Sequence, residues 1–174
     1  LVSLLNERRS YPVVVKQNDR PDQVRLIGGV SAIDGRDREA VIDVLTQADG
    51  MATSVGQRGL QAVLPLLAAA LALRAANNAP PLDLIIAENL RSGAAWFRQN
   101  LGPLLPEGFD LDSRLGLVET SIGKMVPIMP QDALNEDPLQ LFAEPYDTLI
   151  VDRLGFRREV PALAGLKPVN NITA

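Results

Sequence analysis

A nearly continuous apolar run at residues 82–87 constrains the fold of this chain more than any other feature. The segment reads LDLIIAEN, two prolines stand directly before it, and Glu88 and Asn89 end it. A strand that is covered on both faces of a parallel sheet has such a run, whereas a strand with one solvent-exposed face alternates apolar and polar residues. The run therefore predicts an inner strand of a parallel sheet.

Helical patterns lie on both sides of this strand. Residues 60–76 precede it as a long apolar stretch, and residues 91–101 follow it. The most apolar part of the first stretch is shorter than the ~20 residues that span a bilayer and contains Arg74, so it predicts a buried helix rather than a membrane span. With a further strand at 49–55, the alternation of strands and helices predicts an α/β fold.

The amino-terminal part of the chain adds a helix and a hairpin. Residues 1–9 have the pattern of the last turns of an amphipathic helix. The β-branched segment 11–15 and the segment 24–33 flank a polar turn, as the two strands of a hairpin do. Asp37 is placed to cap the helix that comes next.

Two later segments complete the expected sheet. Residues 115–126 are extended and closed by prolines, and residues 138–151 alternate apolar and polar side chains. We expect them to form antiparallel strands at one edge, while 49–55 and 82–88 are parallel neighbours. The helix at 60–76 should pack on one face of this sheet.

The composition excludes several classes of chemistry. The 174 residues contain no His and no Cys, so the chain has no thiol nucleophile, no His-based triad and no His or Cys metal ligand, and we expect no metal site. The net charge of −4 and the aromatic content of 4% argue against binding of nucleic-acid phosphates and bases. We therefore expect neither a nucleic-acid nor a membrane partner, and the lack of Cys fits a reducing cytoplasm.

The first candidate site is the strand end Ser54-Val55-Gly56. Ligands of parallel sheets bind at the carboxyl ends of the strands. Gly56 would let a ligand approach the backbone closely, and the N-terminus of the helix after it favours an anion such as a pyrophosphate. The alternative is that Gly56 and Gly59 only form the turn between strand and helix.

The second candidate site is the strand end Glu88-Asn89. An Asn side chain can donate a hydrogen bond to a developing alkoxide, and the alternative is that Asn89 caps the following helix. Farther along, the segment VETSIGKMVP carries the charged pair Glu119 and Lys124, which strand alternation places on opposite faces. This pair either faces a ligand or lies on a solvated strand edge.

Six segments occur together in the order and spacing of one family of enzymes. They read LLNERRSYPVVV, LPLLAAAL, LDLIIAEN, VETSIGKMVP, PLQLFAEPYDTLIVD and VPALAGLKPVNNITA. The most specific pieces are LNxRxSYxV, the pair Glu88-Asn89 and the V-P ending of the fourth segment. With them, essentially the whole chain resembles the NAD-binding half of mannitol-1-phosphate 5-dehydrogenases. These belong to the polyol-specific long-chain dehydrogenases and reductases, which include mannitol 2-dehydrogenases.

The resemblance implies a fold and an activity. The expected fold is α/β and Rossmann-like, with a mainly parallel sheet flanked by helices and antiparallel edge strands, and residues 1–174 form a partial NAD-binding domain. The first βαβ unit would precede Leu1. The C-terminal catalytic domain, with a catalytic lysine, would follow residues 170–174, which resemble the start of its helix. The parent protein would be an NAD-dependent dehydrogenase that interconverts a polyol phosphate and a keto-sugar phosphate, and this fragment alone would be inactive.

The resemblance also implies roles for individual residues. Asn89 matches a strand-end asparagine that helps to hold the substrate oxygen during hydride transfer. Lys124 lies on the segment that lines the substrate side. The residues assigned to binding of the NAD cofactor are Ser54, Val55, Gly56 and Glu88.

Two positions depart from the pattern of this family. Where the family has V-D-R-I-V-P, this chain has Gly123 in place of the Asp and Lys124 in place of the Arg. Both changes alter a polar site, because a carboxylate is lost and a planar guanidinium becomes a point charge. They favour an alternative function, that of a non-catalytic module that binds a nucleotide or a sugar phosphate. A flavodoxin-type fold is disfavoured by the hairpin and by the extended segments near the end.

Overall fold

Helices and strands alternate along the chain, so the predicted α/β class is confirmed. The structure is a computed structural model that describes residues 1–124, 126–170 and 172. In this part, the helices are α1 (Val2–Arg8), α2 (Arg38–Gln47), α3 (Gln57–Ala76), α4 (Gly93–Leu101), α5 (Leu111–Arg114) and α6 (Gln131–Glu136). The strands are β1 (Ser10–Val15), β2 (Gln23–Gly28), β3 (Met51–Thr53), β4 (Leu82–Ile86), β5 (Leu115–Val118), β6 (Thr120–Ser121), β7 (Leu141–Ala143), β8 (Leu149–Asp152) and β9 (Leu166–Val169).

The chain forms two compact units, and the first consists of Leu1–Arg36 and Gly123–Asp147. Its sheet has the order β2-β1-β7, in which β1 pairs antiparallel with β2, as the predicted hairpin, and parallel with β7. The helix predicted at the start of the chain is α1. Asn6 of this helix holds the loop after β2, because its side chain donates to the carbonyl of Ala32 and accepts from the N–H of Ala32, at 2.9 and 2.7 Å.

The second unit, Asp37–Ile122 and Thr148–Ala174, contains the parallel sheet β3-β4-β5. Strand β4 is the middle strand, with β3 and β5 parallel to it, so the predicted inner strand and its predicted neighbour are both confirmed. One face of the sheet packs against α3 and α4. The fully buried side chains of this core include Leu60, Leu64, Leu67, Leu71, Leu82, Leu84, Phe97 and Leu101.

Helix α3 is the predicted buried helix. By length and composition alone it is also long and apolar enough to cross a membrane, the one such helix in the described part of the chain. Its apolar side chains instead pack in the core beneath β4, as those of a core helix do.

Helix α2 is fixed at both of its ends. The Asp37 carboxylate accepts a hydrogen bond from the N–H of Ala40 at 3.2 Å, as the predicted N-cap. At the C-terminal end of the helix, the buried guanidinium of Arg74 donates to the carbonyl oxygens of Thr46, in the last turn, and of Ala48, directly after it, at 2.7 and 2.9 Å. Burial lowers the pKa of Arg74 because it removes water from the charged form, and these carbonyl oxygens take the place of that water.

Two details of the predicted topology are wrong. The segment 138–151 was expected to add antiparallel strands at one edge of the parallel sheet, but β7 pairs parallel with β1 in the first unit, and β8 lies in the separate sheet β6-β8-β9. Its alternating pattern indicates strands but carries no information on their partners.

The segment 115–126 was expected to be antiparallel, but β5 runs parallel to β4. All four residues of β5 are buried, and such burial does not by itself decide the direction of a strand. Antiparallel pairing begins only at Thr120, where β6 pairs with β8, and β9 then pairs parallel with β8. The predicted start of a helix at 170–174 involves Asn171, Thr173 and Ala174, which lie outside the described residues.

A buried carboxylate within β4 holds a later segment of the chain against the sheet. Oδ1 of Asp83 accepts from the N–H of Arg157 at 2.7 Å, and Oδ2 accepts from the N–H of Arg158 at 3.2 Å. Asp83 lies against Gly116 of β5. A Cβ at Gly116 would overlap Oδ1 of Asp83 and would lie 2.8 Å from the carbonyl oxygen of Gly155. The sequence therefore needs glycine at this position.

Gly116→Ala is expected to lower the free energy of unfolding by roughly 1–3 kcal/mol, because the added methyl group overlaps a hydrogen-bonded carboxylate and a backbone carbonyl. Urea denaturation measures the change. Gly102→Ala is the matched control, since its backbone is helical and a Cβ there meets nothing within 4 Å. Equal stabilities of the two variants would contradict this account.

Candidate functional site

The two predicted strand ends lie side by side. Thr53 is the last residue of β3 and pairs in register with Ile86, the last residue of β4. The loops that follow, residues 54–56 and 87–92, therefore leave the same carboxyl edge of the sheet. Ser54 and Asn89, which lie on different loops, are both exposed to solvent.

Glu88 joins these two loops. Its carboxylate is buried, and Oε1 accepts a hydrogen bond from the N–H of Val55 at 2.7 Å while Oε2 accepts from the N–H of Gly56 at 2.9 Å. Sequence reasoning expected these N–H groups, near the start of α3, to favour an anion of the ligand. In the structure, the anion at this place is the carboxylate of Glu88.

The conformation of Gly56 explains why a glycine stands at this turn. Its φ of 72° and ψ of 156° belong to a backbone region that is essentially restricted to glycine. A Cβ at this position would meet nothing within 4 Å. The turn therefore requires a glycine at position 56, and the carbonyl of Gly56 accepts from the N–H of Gly59 at 2.9 Å. The assignment of Gly56 to cofactor binding stays a prediction.

Asn89 is not the N-cap of the next helix. Helix α4 begins at Gly93 with Ser92 in the capping position, so the capping alternative is wrong. Gln57 donates to the backbone carbonyl of Asn89 at 3.5 Å. Within the described part of the chain, no hydrogen bond engages the Asn89 side chain or the Ser54 hydroxyl, and both are free to bind a ligand.

Sequence reasoning missed the structural role of Glu119, which lies between β5 and β6. Its Oε1 accepts from the N–H of Ala94, in the first turn of α4, at 2.8 Å. The neighbouring Thr120 donates its hydroxyl to the carbonyl of Ile86 at 2.7 Å and so fixes the end of β4. The sequence did carry one signal for this role: Glu119 is a carboxylate directly after a buried apolar run, and no basic residue stands next to it in the sequence.

Lys124 belongs to the first unit, whereas the other candidate residues belong to the second. Its ammonium donates to the backbone carbonyl of Tyr146 at 2.6 Å. The neighbouring Gly123 lies beneath the Tyr146 ring, since a Cβ there would be 3.6 Å from Cε1. The assignment of Lys124 to the substrate side stays a prediction.

A cavity of about 480 Å³ lies elsewhere in the second unit. Ala52, Asp83 and Ile85 line it, and these residues point to the face of the sheet opposite the α3 core. Among its described lining residues are none of the strand-end candidates. The cavity is therefore separate from the predicted site.

The parallel sheet β3-β4-β5 with α3 and α4 on one face is a Rossmann-like α/β arrangement, in which ligands bind at the carboxyl ends of the strands. Residues 1–165 match the family model of the mannitol dehydrogenase Rossmann domain, so the chain belongs to this family. A solved structure of D-sorbitol dehydrogenase in substrate-free form matches 99% of the chain with a TM-score of 0.82 at 17% sequence identity, which shows the fold. The chain spans 45% of the length of that dehydrogenase.

Membership of this family confirms the resemblance at the level of the family and its Rossmann domain. A Rossmann domain in a dehydrogenase binds a nucleotide cofactor, typically NAD or NADP, and binds it at the carboxyl ends of the strands. The loops after β3 and β4 are at that position. Among the residues that the structure describes, no group of three or more acidic side chains could hold a metal ion.

Gly56→Ala is expected to lower the free energy of unfolding by about 1–3 kcal/mol, because an alanine is strained at this φ and ψ. Thermal or urea denaturation measures the loss. Gly35→Ala is the control, since Gly35 has no positive φ and a Cβ there meets nothing within 4 Å. If both variants had the stability of the unmodified chain, Gly56 would not be required by its backbone conformation.

Proposed function

We propose that this chain is the NAD-binding domain of a cytoplasmic dehydrogenase that interconverts a polyol phosphate, such as mannitol 1-phosphate, and the corresponding keto-sugar phosphate. One observation carries the proposal: two exposed loops adjoin at the carboxyl edge of β3 and β4, in a chain of the mannitol dehydrogenase family. Ligands of open parallel sheets bind at this edge.

The side chains of these loops fit the uncharged parts of a dinucleotide. The Ser54 hydroxyl and the Asn89 amide can exchange hydrogen bonds with ribose hydroxyls or with a carboxamide. Val55, which is 51% exposed, offers an apolar surface to a flat ring. Glu88 was also assigned to the cofactor, but both of its oxygens already accept hydrogen bonds from the loop, so its proposed role is to hold that loop.

Asn89 is the residue that we propose to act on the substrate. Its amide N–H can donate to an oxygen that gains negative charge, as a substrate oxygen does when its proton leaves. When bound, the nicotinamide cofactor supplies the hydride acceptor. The proton-transfer lysine is proposed to come from the C-terminal catalytic domain of the parent protein, so residues 1–174 alone should bind nucleotide without turnover. Lys124 is proposed to face the polyol or sugar phosphate.

The second candidate function is a non-catalytic module that binds a nucleotide or a sugar phosphate. The observation in its favour is the replacement at Gly123 and Lys124, together with the engagement of the Lys124 ammonium by the Tyr146 carbonyl. Both candidates predict a ligand at the same loops, which is a nicotinamide dinucleotide for the enzyme and a nucleotide or a sugar phosphate for the module. Only the proposal that the protein is an enzyme predicts that a substitution at Asn89 changes the turnover rate.

Asn89→Ala in the parent protein is expected to lower turnover by about 10²–10³-fold, the usual effect of removing one donor to a developing oxyanion. Its melting temperature should stay nearly unchanged, because the side chain is exposed and does not cap a helix. Steady-state kinetics with mannitol 1-phosphate and thermal denaturation of the same preparation provide the two readings.

Asn18→Ala is the matched control, because Asn18 is an exposed asparagine in the hairpin turn of the first unit. It should leave both turnover and melting temperature unchanged. Unchanged turnover in the Asn89→Ala variant would count against the enzyme and in favour of the binding module. Failure of the parent protein to bind any nicotinamide dinucleotide would also count against the enzyme.

A further inference from the structure

The N-terminus of α3 has the features of a strong anion site. The helix has 20 residues and no acidic residue in its first turn. Its dipole and its unpaired N–H groups therefore attract negative charge. A phosphate at such a position is common in nucleotide-binding proteins, where the N–H groups of the preceding loop hold its oxygens.

In this chain, a buried side chain already binds the N–H groups of the loop directly before the helix. Glu88 is 9% exposed, and its two oxygens take the N–H groups of Val55 and Gly56, one each. Within the described residues, no Lys or Arg forms an ion pair with Glu88. The loop amides and the helix dipole therefore balance its negative charge. A second anion would find both N–H groups already hydrogen-bonded and would be repelled by the carboxylate.

We propose that Glu88 is a specificity-determining residue, a built-in anion that excludes phosphate groups from the loop between β3 and α3. The loop then accepts only an uncharged part of the nucleotide, such as a ribose or the carboxamide ring, through Ser54 and Asn89. This second statement rests on the proposed function. The exclusion of phosphate itself rests on the contacts of Glu88 alone.

The test uses the full 174-residue chain and inorganic pyrophosphate as the probe. Backbone amide signals of Val55 and Gly56 are followed by ¹⁵N–¹H NMR during the titration. In the unmodified chain these signals should not move. In Glu88→Ala both N–H groups are freed, and pyrophosphate should bind about tenfold or more tightly than to the unmodified chain, because two charge-assisted hydrogen bonds become available.

Two further variants keep the result decisive. Glu88→Gln retains the size of the side chain but has only one carbonyl oxygen, so pyrophosphate should move one of the two signals even if Glu88→Ala does not fold. Glu119→Ala removes the corresponding carboxylate at α4 and should leave the Val55 and Gly56 signals insensitive to pyrophosphate.

Equal pyrophosphate responses in the unmodified chain and in the Glu88 variants would overturn the proposal, as would the absence of any response in every variant. A separate titration with NADH distinguishes this failure from that of the proposed function. If NADH leaves Ser54 and Asn89 unaffected while Glu88→Ala gains pyrophosphate binding, the exclusion by Glu88 stands and the cofactor assignment falls.

Discussion

Pairing of carboxylates with backbone N–H groups fixes the ends of the parallel sheet. Asp83 accepts from the N–H groups of residues 157 and 158, Glu88 from residues 55 and 56, and Glu119 from residue 94. Asp83 and Glu88 are buried and Glu119 is half-buried. A carboxylate removed from water without partners is costly, so each of these groups favours the position of the segment that donates to it. The position of the sheet strands and the position of these loops are therefore stabilised by the same hydrogen bonds.

The predictable part of the fold came from local patterns. The unbroken apolar run of β4 identified an inner strand, and the Asp37 cap identified the start of α2, because both signals lie within a few residues. The direction of β5 was predicted wrongly. A short strand with four buried residues does not differ in pattern from an antiparallel strand in a core, and only its partner decides the direction.

The candidate site was predictable as a place but not as a mechanism. A strand end before a glycine and a helix predicted a candidate ligand site, and the structure shows that residues 54–56 and Asn89 lie at one edge of the sheet. The role of Glu88 could not be read from the sequence, because its partners are more than thirty residues away along the chain. Asp83 is a similar case, since its partners lie more than seventy residues away along the chain.

A crystal structure of the parent protein with bound nicotinamide dinucleotide tests the central claim most directly. The account predicts an uncharged part of the dinucleotide within hydrogen-bond distance of Ser54 or Asn89, with Glu88 still bound to the N–H groups of Val55 and Gly56. A phosphate group on those N–H groups with Glu88 displaced, or a dinucleotide bound away from this edge of the sheet, would contradict it.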